Sequence, residues 1–326
     1  MNIAVVGGSG FIGTRLAENL KSDGVEFFIV DKIRSNVFPE KTLISDVRNL
    51  ETLKTCLQGA DTIVNLAAEH RDDVSPVSLY QDVNVKGAVN ICKIAEYLEI
   101  NHIIFTSSVA VYGFAPPYTD EEGELNPFNE YGRTKMEAEK VYRSWAENHP
   151  ERHLAIIRPT VVFGEGNRGN VYNLFRQIAG RKFLFVGSGK NHKAMAYVGN
   201  VAAFLIQTIN SAELEGTWNY VDTPIPDMNE LVSSVRMKLG LGKGTGIRIP
   251  AIVGILGGIV FDVTAKLSRK KFSISRIRIR KFLSDSSFSA DRIKETGFTP
   301  PFNLQESLDK VLKYEFMNRD EKNAEE

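Results

Sequence analysis

Val5-Val6-Gly7-Gly8-Ser9-Gly10-Phe11-Ile12-Gly13 decides the fold of this chain. It follows an apolar run, Ile3 to Val6, that begins almost at the first residue, and it leads into an apolar-periodic segment carrying Phe11, Ile12, Leu16 and Leu20. The pattern predicts strand, tight turn and helix. Glycines at 7, 10 and 13 let the backbone turn sharply, approach a diphosphate with no Cβ in the way, and seat the helix closely on the strand. The N–H groups of the helix start then face the anion. The stretch therefore predicts a dinucleotide site formed by Gly7, Gly10, Phe11, Ile12 and Gly13.

Outward from that turn, strands and helices alternate. Glu26 to Asp31 reads as a second strand ending in an acid. An acid about twenty residues past the glycines accepts hydrogen bonds from the adenosine ribose, and its charge repels a 2′-phosphate. Asp31 thus favours NAD over NADP, with Lys32 and Arg34 as nearby cations that blunt the preference. Leu43 and Ile44 lead to Asp46-Val47, where the acid is placed to reach the adenine amino group. After a helix from Leu50 to Leu57, a buried strand runs from Thr62 into Leu66, Ala67 and Ala68, whose small final residues let a cofactor lie against backbone. The polar loop that follows offers His70 and Arg71 to a ribose or a substrate diphosphate, or to local ion pairs in solvent. A helix from Leu79 to Leu98 carries Asn84, a further candidate cofactor contact. The alternation predicts an α/β protein, a Rossmann-type doubly wound parallel sheet with a smaller mixed C-terminal substrate lobe. The expected boundaries are 1–164 for the dinucleotide domain, interleaved with some later segments, 165–318 for most of the substrate lobe, and 319–326 for a polar tail.

Bulk properties narrow the class. The 326 residues are 43% hydrophobic and 25% charged with zero net charge, which gives no global argument for a nucleic-acid partner. Cys56 and Cys92 lie in apolar-periodic segments without metal-ligand spacing, so they read as buried free thiols and no metal site is expected. A strand starting at Asn2 leaves no room for a signal peptide, which reads as a cytoplasmic chain.

The chemistry is carried by Tyr131-Gly-Arg-Thr-Lys135. Four residues of separation put the phenol and the ammonium on one helix face. A free tyrosine ionises near pH ~10, too high for a base at neutrality, and a nearby cation brings it down. Ser108, at the end of the strand His102 to Thr106, supplies a third group on the same substrate oxygen. These residues, with Phe105-Thr-Ser-Ser-Val-Ala-Val-Tyr-Gly113 and the glycine spacing, resemble the extended short-chain dehydrogenase/reductase family, and within it the nucleotide-sugar 4-epimerases. The resemblance implies a tyrosine that removes the proton of a sugar hydroxyl while hydride passes to NAD. The 4-keto sugar then turns over and takes the hydride back on its other face.

Departures from the family pattern refine this. Dehydratases of the family carry an Asp-Glu pair directly after the catalytic hydroxyl; Val109 and Ala110 stand there and argue against elimination of water. UDP-sugar epimerases usually carry an asparagine where Val161 stands, and their Arg-Asp-Tyr-Ile-His-Val segment is represented by Lys193-Ala-Met-Ala-Tyr-Val198. The stretches Ala67-Ala-Glu-His-Arg-Asp-Asp-Val-Ser-Pro76, Gly164-Glu-Gly-Asn-Arg-Gly-Asn-Val-Tyr-Asn173 and Met195-Ala-Tyr-Val-Gly-Asn200 look like those of the bacterial epimerases that act on N-acetylglucosamine linked through diphosphate to undecaprenol. That likeness implies interconversion of N-acetylglucosamine and N-acetylgalactosamine on the lipid carrier for surface-polysaccharide (O-antigen type) assembly. Arg168 in a Gly- and Asn-rich loop, Lys193 and Arg278 become candidate contacts for the substrate diphosphate. A UDP-sugar 4-epimerase, an NAD(P)H-dependent sugar or carbonyl reductase, and a dinucleotide-sensing scaffold are the alternatives.

One stretch bears on the membrane. The apolar run Ile249 to Phe261 is shorter than the roughly 18 residues that span a bilayer. Lys266 to Lys281, including Lys270, Lys271, Arg276 and Arg278, then holds no acid. Such a pair can dip into the interface and attract anionic headgroups, and with the lipid-linked substrate that the resemblance implies, the chain is expected at the inner face of the cell membrane. A buried helix or a homodimer contact is the other reading.

Overall fold

The computed structural model describes residues 1–71, 74–147, 149–211, 213–256 and 282–317. Strands that are apolar on both faces have to be covered on both, which selects a parallel sheet between helix layers. Ile3, Ala4, Val5 and Val6 are all fully buried. Ile3 and Val5 pack with Leu16, Ala17 and Leu20 on one face, while Ala4 and Val6 pack with Ile91, Ala138 and Tyr142 on the other.

In chain order the elements are β1 (Asn2–Val6), α1 (Phe11–Ser22), β2 (Glu26–Asp31), β3 (Thr42–Ile44), α2 (Leu50–Cys56), β4 (Thr62–Asn65), α3 (Ser78–Tyr80), α4 (Gly87–Tyr97), β5 (His102–Thr106), α5 (Glu130–Glu147) and β6 (His153–Pro159). There follow β7 (Val161–Phe163), α6 (Asn170–Ala179), β8 (Phe185–Val186), β9 (Met195–Tyr197), α7 (Val198–Asn210), β10 (Gly216–Tyr220), α8 (Met228–Lys238), β11 (Arg248–Ile249), α9 (Asp291–Glu295) and α10 (Leu304–Leu312). The main sheet has seven strands in the order β10-β6-β5-β4-β1-β2-β3. Its pairings are all parallel. Sequence order reverses between β1 and β4, and open α/β sheets bind ligands at that switch, beyond the carboxyl ends of the strands.

Local chemistry sets the element ends. α1 buries Gly13, Leu16, Ala17 and Leu20, a single helical face. Leu16 and Leu20 are fully buried, and burying each side chain is worth about 2 kcal/mol. β4 stops at Asn65, short of the expected Ala68, because the Asn65 carboxamide oxygen accepts the Ala67 N–H at 3.0 Å and turns the chain. The expected helix from Leu79 to Leu98 is interrupted by a π-helical turn, Gln81–Lys86, that contains Asn84. Asn129 starts α5 by accepting the Gly132 N–H at 2.9 Å.

The chain forms two compact units that interleave. The first comprises 1–162, 196–222 and 288–302, and the second 163–195, 223–287 and 303–326. The expected substrate lobe thus returns two segments to the first unit. β10 extends the parallel sheet beside β6, and α7 packs on α1, so these late residues complete the dinucleotide half. In the second unit, α8 and α10 open with capping boxes, Asp227 with Glu230 and Asn303 with Glu306. β8 and β11 pair in parallel there. The expected tail 319–326 lies outside the described residues.

Candidate active site

The backbone at the carboxyl ends of β1, β2 and β4 shows why glycine is required. Gly7 has φ +77°, and a Cβ there would lie 2.6 Å from the Ala67 nitrogen. At Gly13 it would lie 2.5 Å from the Gly8 Cα, so α1 meets the turn only without a side chain at 13. Gly10 begins α1 with no side-chain cap and no acid in the first turn, which leaves the positive helix end to an anion. The Asp31 carboxylate accepts the Ser9 N–H at 3.0 Å and the Ile33 N–H at 3.2 Å. A carboxylate has about four acceptor positions, so Asp31 retains capacity for ribose hydroxyls beside the turn. Phe11, Ile12, Leu66, Ala67 and Ala68 are half-buried around it. Among the described residues, the buried hydroxyls of Thr106 and Thr160, at and just beyond the carboxyl ends of β5 and β6, lack a partner within the protein. A glycine cradle, an uncapped helix start, an acid and orphan hydroxyls at one sheet edge fit a dinucleotide.

Three expected cofactor contacts have other work in this structure. Asp46 receives Arg48 Nε at 2.9 Å and Nη2 at 2.7 Å, and that hydrogen-bonded pairing holds its carboxyl below the usual range. Val47 is buried, and its carbonyl accepts Asn90 Nδ2 at 2.9 Å. Asn84 is buried too: its oxygen accepts the Glu69 N–H at 2.8 Å, and its nitrogen donates to the Glu69 carbonyl at 3.1 Å and to Thr134 Oγ1 at 2.9 Å. Both amide hydrogens are thereby used to tie the 69–71 loop to α5. On that loop His70 and Arg71 are exposed, and Arg71 Nε pairs with the Glu69 carboxylate at 3.2 Å.

The structure brings Ser108, Tyr131 and Lys135 together. Ser108 caps a 3-10 turn, Val109–Tyr112, by accepting the Ala110 N–H at 3.1 Å. Its hydroxyl also stands close enough to the Tyr131 phenol, in the first turn of α5, to favour the phenolate. Lys135, 2% exposed, donates from Nζ to the Thr106 carbonyl at 2.7 Å and lies 4.6 Å from the centre of the Phe105 ring. Burial pulls its ammonium down to about 7, against the attraction of Glu139. Burial pushes the Tyr131 phenol up, against the effect of Ser108. The sequence predicts that Lys135 lowers Tyr131. Here the lysine is also engaged on a carbonyl, and Ser108 adds a second group that favours the phenolate.

The second unit holds two of the expected diphosphate contacts. Arg168 pairs with Glu315 at 2.7 Å and lies 4.4 Å from the centre of the Tyr172 ring. Lys193 donates to the Ser284 carbonyl at 2.7 Å, and burial pulls it down to about 8 against the attraction of Asp285. Arg278 lies outside the described residues.

Sequence reasoning missed a buried network directly behind the catalytic group. Glu139 and Arg158 are 1% and 2% exposed. The Glu139 carboxylate takes Arg158 Nε at 2.9 Å and Nη2 at 2.6 Å, and the Ser107 hydroxyl at 2.5 Å. Arg158 Nη1 donates to the Tyr112 hydroxyl at 2.6 Å, and that hydroxyl to Asn219 Oδ1 at 2.8 Å. The available signal was the spacing Tyr131, Lys135, Glu139, which continues one helix face by a further turn.

The sequence pattern of the NAD dependent epimerase/dehydratase family matches residues 3–219. An Escherichia coli N-acetyl-alpha-D-glucosaminyl-diphospho-ditrans,octacis-undecaprenol 4-epimerase is 47% identical over 319 residues, 97% of this chain and 96% of that protein. A Vibrio cholerae UDP-glucose 4-epimerase is 29% identical over 64% of this chain and 66% of its own length. Among solved structures, the Thermus thermophilus UDP-glucose 4-epimerase complex with NAD superposes with a TM-score of 0.76 at 19% identity, covering 98% of this chain and all 100% of that one.

Proposed function

The chain belongs to the NAD dependent epimerase/dehydratase family, and from that premise we propose that it is an NAD-dependent 4-epimerase of N-acetylglucosamine carried on undecaprenyl diphosphate, yielding the N-acetylgalactosamine epimer for surface-polysaccharide assembly. The near-full-length identity to the Escherichia coli enzyme carries the substrate. The site agrees with the reaction type. Tyr131 takes the proton of the sugar 4-hydroxyl and later returns it, with Ser108 beside the phenol to hydrogen-bond the same sugar oxygen. Lys135 supplies the positive charge one helical turn away. Gly7, Gly10, Gly13 and Asp31 would hold NAD, which would supply the hydride acceptor and donor that the sugar carbon requires. Val109 and Ala110 add no acid or base after Ser108, so water is retained.

Parallel incubation with lipid-linked and UDP-linked N-acetylglucosamine tests the substrate: epimerisation of the lipid-linked sugar is expected, and turnover of the UDP sugar alone would sink this reading. Stoichiometric consumption of added NADH or NADPH would point to a reductase. Asp31→Ser is expected to weaken NAD binding about tenfold, the worth of one charge-assisted hydrogen bond. It also narrows the preference over NADP, and titration calorimetry with each dinucleotide reads both effects.

The substrate's lipid tail calls for contact with the membrane, and we place the chain at its inner face. No helix among the described residues is long and apolar enough to cross a membrane. Support for surface contact comes from Ile252, Val253 and Leu256, which are 68%, 51% and 57% exposed in the first part of the apolar run. The rest of that run and the basic cluster lie outside the described residues. Changing Lys270, Lys271, Arg276 and Arg278 to glutamate is expected to weaken binding to anionic vesicles at least tenfold at low salt, since each cation contributes about 1 kcal/mol. Sedimentation with the vesicles measures this; unchanged partitioning counts against the contact.

A further inference from the structure

Both members of the acid–base pair sit where burial disfavours their ionised forms, so the pair needs an anion on the lysine side. Lys135 faces Phe105 and the Thr106 carbonyl from β5 and Tyr131 and Glu139 along its own helix. The Glu139 charge is what opposes the effect of burial on the lysine. Glu139 itself is met by Arg158 from β6, by Ser107 from the end of β5, and by Arg143, 3.8 Å away on α5. A buried carboxylate is costly unless held by good hydrogen bonds, and this one has three of them from two other elements.

We propose that Glu139, seated by Arg158, is a positioning residue of the epimerisation: its carboxylate anchors Ser107 beside the catalytic serine and supplies the negative charge, one helical turn from Lys135, that keeps the lysine an ammonium. The inference rests on the reading of Tyr131 and Lys135 as the acid–base pair. The geometry makes one side chain serve both halves of the site. Through Ser107 it fixes the strand end from which Ser108 projects towards the phenol. Through space it opposes the desolvation of Lys135. Arg158 orients the carboxylate in a bidentate grip and, by its bond to Tyr112, reaches the 3-10 turn that Ser108 caps.

The test measures Lys135 directly in the full chain. Protein labelled with ε-13C-lysine, with Lys135→Arg for assignment, is titrated by NMR as wild type, Glu139→Gln and Glu139→Asp. Loss of the anion favours the neutral amine, so in Glu139→Gln the Lys135 midpoint is expected to fall by about one pH unit or more. The pH profile of kcat moves to lower pH with it, and its plateau drops about tenfold as the phenolate–ammonium form gives way to the neutral pair. Glu139→Asp keeps the charge, so its midpoint and profile stay near those of wild type even where kcat falls. If Glu139→Gln does not fold, Glu139→Gln/Arg158→Met removes both buried charges together and carries the same measurement. An unmoved Lys135 midpoint in a folded, charge-free variant overturns the proposal, and so does equal loss of activity in the Gln and Asp variants with pH profiles unshifted. A wild type inactive on both sugars whose Lys135 midpoint nevertheless depends on Glu139 sinks the functional reading and leaves this coupling standing.

Discussion

Tyr131→Phe is expected to lower kcat by about a thousandfold, within the range of 10²–10⁴ that a positioned proton-transfer group supplies, while the thermal midpoint and NAD affinity stay close to wild type. The substitution removes one oxygen. The ring in the first turn of α5 remains, and what is lost is the polar contact of the phenol with Ser108. Ser108 keeps its second role, accepting the Ala110 N–H, so the 3-10 turn stays in place. Glycines 7, 10 and 13 and Asp31 are untouched, so the dinucleotide is still held. The pH dependence follows from the sign of the Tyr131 shift. Burial raises the phenol, a base must be deprotonated to work, and the wild-type rate therefore climbs with pH on its acid limb. The Phe variant retains no such limb. Initial rates on the lipid-linked sugar across pH, with a melting curve for each protein, decide the matter. A Phe variant within tenfold of wild type would remove Tyr131 from the chemistry.

The features that were legible in the sequence are those whose partners are close along the chain. Gly7, Gly10 and Gly13 act on one turn, and the 2.5 Å from a Gly13 Cβ to the Gly8 Cα states in ångströms what the spacing implied. Tyr131 and Lys135 share a helix face because of their separation alone. The parallel sheet followed from the alternation of strands and helices along the chain. What was not legible depends on where distant segments meet. Nothing near Glu139 announces that β6 will bring Arg158 against it, because that depends on how β6 pairs with β5. Asn84 was a candidate cofactor contact on the helix expected from Leu79 to Leu98, and in the fold Glu69 and Thr134 engage its amide. Asp46 was outcompeted locally, by an arginine two residues away whose fork matches a carboxylate. The return of 196–222 to the first unit is likewise a matter of tertiary pairing, since β10 adds to the edge of β6.

Gly132→Ala is expected to cost about a hundredfold in kcat although it is a favourable change for an isolated helix. Alanine in a helix interior is worth about 1 kcal/mol over glycine. In this fold the added Cβ would stand 2.4 Å from the Ala110 carbonyl oxygen and 3.0 Å from Pro127 Cβ. The closest of these atoms is backbone, so relief requires the start of α5 to retreat from the 3-10 turn by about 1 Å, the distance from that clash to ordinary van der Waals contact. Tyr131 precedes Gly132 and rides with the helix, whereas Ser108 caps the turn that contains Ala110 and stays with it. The retreat thus parts the helix that carries Tyr131 from the turn that Ser108 caps. A displacement of that size in a catalytic group costs about 10² in rate, whereas overpacking of about 1–3 kcal/mol, set against the helix-propensity gain, leaves only modest net destabilisation. The signature is a fall in kcat larger than any change in KM, with NAD still bound and the thermal midpoint lowered by a few degrees. A kcat within threefold of wild type would show that α5 adjusts without parting Tyr131 from Ser108, and the close approach at Gly132 would then be a packing feature alone.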